Sequence, residues 1–155
     1  MANLAVQWGF DSSFHAFEAY RANFPHAAVL LSATDFIKKH DGRFEVDILH
    51  LSPPCQVFSS ANTTPNTDKN KTNIATSMTL GSILSVARPR IVTLEQTPGI
   101  LVIKKNQELY HEVIRQFTRL GFSIRWKVLK FEEYELPQER TRLIILASRC
   151  VDIAT

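Results

Sequence analysis

Apolar residues recur along this chain in two rhythms, every second position or every third and fourth, and these lay out strands and helices in turn. Residues 4–10 read as a short strand ending at Asp11. Ser12 or Ser13 can cap the next helix, because a hydroxyl oxygen accepts from the free N–H groups of a first turn. Phe14, Phe17, Tyr20 and Phe24 return at helical spacing, and Pro25 stops the helix. Residues 27–31 and 46–51 are two more strands, the second closed abruptly by Pro53 and Pro54. A polar stretch rich in Ser, Thr, Asn and Pro runs over 56–71, and loops of that length usually carry function. A helix is expected over 74–87, with Leu80, Ile83, Leu84 and Ala87 on one face, followed by a strand over 90–94. Asn106 opens a further helix bearing Leu109, Val113, Ile114, Phe117 and Leu120, and Gly121 ends it. Runs at 122–129 and 143–147 form a closing hairpin. The alternation predicts one α/β unit with a doubly wound, mostly parallel sheet.

Composition changes this picture little. With 45% apolar and 21% charged residues, the chain has the make-up of an ordinary folded domain. No apolar run approaches the roughly 20 residues that cross a bilayer, so no membrane partner is expected. The first residues carry no basic-then-apolar leader, and secretion is not expected. A net charge of +3 and a pI near 9.0 permit a nucleic-acid partner without requiring one. Cys55 and Cys150 are too few and too far apart for a usual zinc site, so no metal is expected, and a reducing compartment suits them.

The candidate chemistry sits where the strands end. In doubly wound sheets ligands bind at the carboxyl ends of strands, and Asp11, Asp35, the Pro53-Pro54-Cys55 turn and Glu95 all lie there. A lone cysteine after a strand is by default a small core residue. Two prolines that restrict its direction and a polar loop behind it argue instead for a thiol at a rim, where a thiolate can attack. Glu95 alone could be a solvated carboxylate. Alternation over Gln138, Arg140 and Arg142 puts three polar side chains on one face of the last strand, which alone could be a solvated edge.

Taken together, Pro53-Pro54-Cys55-Gln56-x-Phe58-Ser59, Glu95 and Gln138-x-Arg140-x-Arg142 resemble the motifs of the cytosine-5 DNA methyltransferase family. Tyr20-Arg21-Ala22-Asn23-Phe24-Pro25 is similar to that family's second motif. Where the family has Glu-Asn-Val this chain has Glu95-Gln96-Thr97, a variant most similar to a fungal branch linked to repeat-induced point mutation. The resemblance implies a Rossmann-like, S-adenosylmethionine-dependent methyltransferase fold. It implies Cys55 as the nucleophile that adds to carbon 6 of cytosine, with Glu95 at ring nitrogen N3. Arg140 and Arg142 would donate to the base oxygen or a nearby phosphate. Asp11, Asp35 and Pro54 would contact S-adenosylmethionine, through its ribose hydroxyls (Asp11) and its adenine amino group (Asp35). The partner implied is double-stranded DNA with the target cytosine flipped out, at roughly a few kcal/mol.

The family's glycine-rich Phe-x-Gly-x-Gly loop and its strand have no counterpart before Asp11, and its target-recognition region and closing helix would follow past residue 155. Residues 1–155 are therefore expected to form a partial catalytic domain lacking those three parts. Without the first strand, the strands ending at Asp11 and Pro53 should each have an unpaired inner edge. Marginal stability and weak cofactor binding are then expected. Three functions stay open: DNA methylation, a catalytically silent module binding DNA or protein, and RNA cytosine methylation. A nuclear location is expected for a eukaryotic source and a cytoplasmic one otherwise.

Overall fold

The structure, a computed structural model, describes residues 5–39, 45–54 and 79–149. Its elements run β1 (Gly9–Asp11), α1 (Phe14–Asn23), β2 (Ala28–Leu30), α2 (Ala33–Lys39), β3 (Ile48–Leu51), α3 (Leu80–Ala87), β4 (Ile91–Gln96), α4 (Gly99–Val102), α5 (Gln107–Arg119), β5 (Ser123–Lys130) and β6 (Thr141–Ser148). Short 3₁₀ turns at Lys104–Asn106 and Phe131–Tyr134 precede α5 and follow β5. The fold is α/β, as the alternation predicted.

The strands form two sheets. Strands β1 and β2 pair in parallel by themselves, and the other four lie in the order β3-β4-β6-β5. No described strand pairs with the second edge of β1 or of β3, the two inner edges expected to be bare. The larger sheet is mixed where a mostly parallel one was expected. Strands β3 and β4 run parallel, but β6 runs antiparallel to both β4 and β5. The cause is connection length. Residues 131–140 carry only a 3₁₀ turn between β5 and β6, and a parallel crossover needs a dozen or more residues, usually with a helix.

Period-two alternation sorts the larger sheet into a covered and an open face. Leu49, Val92, Leu94, Leu143, Ile145 and Ala147 are buried against Leu80, Ile83, Leu84 and Ala87 of α3 and Val113 and Phe117 of α5. Ile48 and Ile91, pointing the other way, are exposed. The helices close as their sequences ask. Ser13 caps α1 by accepting from the Ala16 N–H, and Gly121 takes φ +77° just past α5.

Other expectations need correcting. The apolar stripe of α1 is not buried. Phe14 is 57% exposed and no residue of that helix is fully covered, because only the small β1–β2 sheet lies beside it. Asn106 does not cap α5 with its side chain. It is buried and donates to the carbonyl of Gly99, fastening α4 to the start of α5. Helices α2 and α4 were not foreseen. Ser32 and Asp35 mark the former by a reciprocal cap, in which the Asp35 N–H and carboxylate meet one hydroxyl. Phe36 of α2 is then fully buried, stacked on Phe10 and tilted against Trp8, which ties the small sheet to the main core. Of the helix expected over 74–87, residues 74–78 lie outside the described residues.

Candidate active site

Strand β4 ends in Glu95 and Gln96, whose side chains leave on opposite faces of the sheet. Because β6 is antiparallel, its first residues arrive beside that end, with Gln96 opposite Leu143 and Glu95 opposite Ile144. This topology brings two guanidinium groups to one carboxylate. Arg140 Nη2 donates to Glu95 Oε1 at 2.7 Å, and Arg142 Nε donates to the same oxygen at 3.0 Å. Arg142 also donates from Nη1 to the Thr141 carbonyl, while Arg140 lies over the Phe131 ring at 5.8 Å. The cluster is half-buried, which strengthens its ion pairs relative to fully solvated ones. No described residue bonds Glu95 Oε2, so one carboxylate oxygen is held and the other is available.

Three of the four residues assigned to catalysis are thus assembled. The fourth, Cys55, lies outside the described residues, as does the 56–71 loop. The chain up to it is described, and Pro53 and Pro54 follow the end of β3. Gln138 does not share a strand face with the two arginines, because β6 begins only at Thr141 and the Gln138 N–H is turned back onto the Leu136 carbonyl.

On the other face of β4 a cleft of about 1500 Å³ opens between the two sheets. Both bare strand edges line it, Gly9–Asp11 and Ile48–Leu51, together with Phe17, Tyr20, Pro53, Pro54, Leu94 and Gln96. Asp11, at the carboxyl end of β1, accepts from the Ser13 N–H with Oδ1 at 2.7 Å and keeps its other oxygen without a described partner. Pro54 lines the same cleft. Asp35 does not. Its Oδ2 takes the Ser32 hydroxyl at 2.7 Å, and it is Ser32 that reaches the cleft. Glu95, Arg140 and Arg142 do not line the cleft either, so the β4 terminus separates two compartments.

Gln96 went unrecognised in the sequence except as an altered neighbour of Glu95. It is 3% exposed and donates from Nε2 to the Pro53 carbonyl at 3.1 Å. A carboxamide at a position that alternation assigns to the core is the signal that marks it.

Residues 1–152 match the family model described as C-5 cytosine-specific DNA methylase. The Type II methyltransferase M1.HphI of Haemophilus parahaemolyticus is 26% identical over 140 residues, covering 87% of this chain and 37% of that protein. M.Sau96I of Staphylococcus aureus is 28% identical over 155 residues, with 96% and 34% covered. The DNA (cytosine-5)-methyltransferase PliMCI of Paracentrotus lividus is 27% identical over 155 residues, with 91% and 10% covered. Among solved structures, a prophage-encoded DNA modification methyltransferase of E. coli superposes with a TM-score of 0.72 at 20% identity, over 94% of this chain and 40% of that one. The Entamoeba histolytica methyltransferase EhMeth gives 0.68 at 17% identity, over 96% and 46%. The chain spans about a third of the length of the two bacterial relatives.

Proposed function

The chain belongs to the C-5 cytosine-specific DNA methylase family, and from that premise we propose that its residues serve methyl transfer to carbon 5 of a cytosine flipped out of duplex DNA. The observation that carries the reading is the Glu95–Arg140–Arg142 cluster at the end of β4, one residue from a side chain that grips the turn before Cys55.

Carbon 5 of cytosine is a poor nucleophile, and covalent addition is the usual way to make such a carbon reactive. The Cys55 thiolate adds to carbon 6 and pushes the ring electrons toward carbon 5. Once carbon 5 has been methylated, loss of its proton lets the ring expel the thiolate and regain its double bond. Glu95 lowers the barrier to addition by passing a proton from its available oxygen to N3 as the thiolate adds, which leaves the carboxylate anionic between the two guanidinium groups. Arg140 and Arg142 fix that carboxylate from behind, so its free edge is aimed and not rotating. Their remaining N–H groups supply fork-shaped donors for the base oxygen or a phosphate.

S-adenosylmethionine, when bound, supplies an electrophilic methyl group. The cleft residues fit it: apolar and aromatic walls, a proline at the rim and an aspartate with one uncommitted oxygen at a strand end. Asp11 would hold the ribose hydroxyls and Pro54 would pack against the bound group. Asp35 would act through Ser32, whose hydroxyl it orients at the cleft wall.

The test is covalent trapping. The protein is incubated with S-adenosylmethionine and a duplex carrying 5-fluorocytosine, whose fluorine cannot leave as a cation, so the adduct persists. A denaturation-resistant complex is expected with the native chain and none with Cys55→Ser. An adduct that survives in Cys55→Ser overturns the reading. A tRNA bearing the same analogue serves as the arm for RNA methylation, and a native chain that traps neither nucleic acid supports the silent-module alternative.

A further inference from the structure

The β3–β4 ladder ends at the pair Leu51–Leu94. Past Ser52 the chain enters Pro53 and Pro54, which have no N–H, so from Pro53 on it cannot extend the ladder with its own donors. The carbonyl of Pro53 still needs a donor. Gln96, two residues past Leu94, provides one from its side chain at 3.1 Å, across 43 positions of sequence. That contact takes over where backbone pairing stops.

The amide is kept there against an opposing effect. Its Oε1 is buried with no hydrogen-bond partner among the described residues. A buried acceptor left unpaired is unfavourable, and an apolar side chain of the same length would avoid it. The donor half of the amide is therefore what the site uses.

We propose that Gln96 is a positioning residue, whose side-chain N–H holds the Pro53–Pro54 turn to the end of β4 and so sets the direction in which the chain enters Cys55. Both prolines fix their own φ, so anchoring one carbonyl constrains the exit of the whole turn. Glu95, the adjacent residue, points to the opposite face, and one strand terminus thereby holds the acid and the turn in a constant relation. The chemical meaning of this rests on Cys55 as nucleophile; the contact itself does not.

The test reads the thiol directly. Wild type, Gln96→Met and Gln96→Glu are alkylated with iodoacetamide over a range of pH. The rates at Cys55 and Cys150 are followed by peptide mass spectrometry, so that Cys150 serves as a reference within each molecule. Methionine keeps the length without the donor, and glutamate keeps the shape but turns a carboxylate oxygen toward the carbonyl. With the turn no longer held, the thiol meets the reagent from more directions, so the Cys55 rate should rise about threefold or more in Gln96→Met and further in Gln96→Glu. The Cys150 rate stays constant, and the melting temperature of Gln96→Met is unchanged or higher. Cys55 rates that are slower, or within about twofold of wild type, overturn the proposal. So does acceleration of both cysteines together with a lowered melting temperature, which marks a residue that supports only the fold. This outcome is independent of the trapping result with Cys55→Ser, so failure of the nucleophile assignment and failure of the positioning role are told apart.

Discussion

Glu95 carries one negative charge against two guanidinium groups that share a single one of its oxygens. Replacing it with Gln removes the charge and leaves two cations side by side in a half-buried site. Because the groups stay partly solvated, we expect a stability loss of about 1–2 kcal/mol in urea denaturation, below the figure for a fully buried pair. The methyl-transfer or trapping rate should fall far more, by about 10²-fold or greater, since a group poised on the reacting ring acts on the barrier. A variant that melts early but traps at the native rate would place Glu95 in the fold alone. Gly9 is a second residue whose identity is set by contact. A Cβ built there would lie 2.5 Å from Cζ of Tyr20. Gly9→Ala should destabilise by about 1–2 kcal/mol, and adding Tyr20→Leu should recover most of it, because the obstruction is the far end of one ring. Equal losses in the single and double variants would show that the backbone, not the ring, is at fault.

At the scale of elements, the arginine pair reaches Glu95 because β6 runs against β4, which depends on the short link between β5 and β6. The end of α3 shows a local conflict. Arg88 sits in the left-handed region at φ 43°, directly before the buried Pro89, where glycine is the usual residue. Its ion pair with Glu45, at 3.4 Å between exposed side chains, contributes little. Arg88→Gly is expected to leave stability unchanged or raise it by up to about 1 kcal/mol, because the strain of a side chain there is of that size. A fall in melting temperature would mean that the arginine stem packs usefully.

Across the whole molecule, stability is unevenly distributed. The four-stranded sheet carries the continuous core under α3 and α5, while β1 and β2 have three residues each and a single partner strand. Amides in β4 and β6 should therefore exchange with solvent at least about tenfold more slowly than those in β1 and β2. A ligand in the cleft touches both sheets, so S-adenosylmethionine should slow exchange in β1 and β3 selectively. Uniform protection throughout would show that the two sheets open as one unit.

Sequence alone determined the elements whose signals are local. The prolines that end a strand, Gly121 at φ +77° and the stripes of α3 and α5 needed no knowledge of distant residues. Motif order also singled out Glu95, Arg140 and Arg142, which the fold brings together, and Asp11, which it places at the cleft. What the tertiary structure decided depended on partners far away in the chain. The stripe of α1 looked like a buried face, yet only a two-stranded sheet lies beside it. Strand direction was legible only at the closing hairpin of β5 and β6, because alternation reports which face a residue takes and not whether a distant neighbour runs with it or against it. The partner of Gln96 was hidden for the same reason: its amide answers a carbonyl 43 positions earlier, left without a donor by proline. Local chemistry can be read along a chain, whereas pairing across it exists only once the chain has closed on itself.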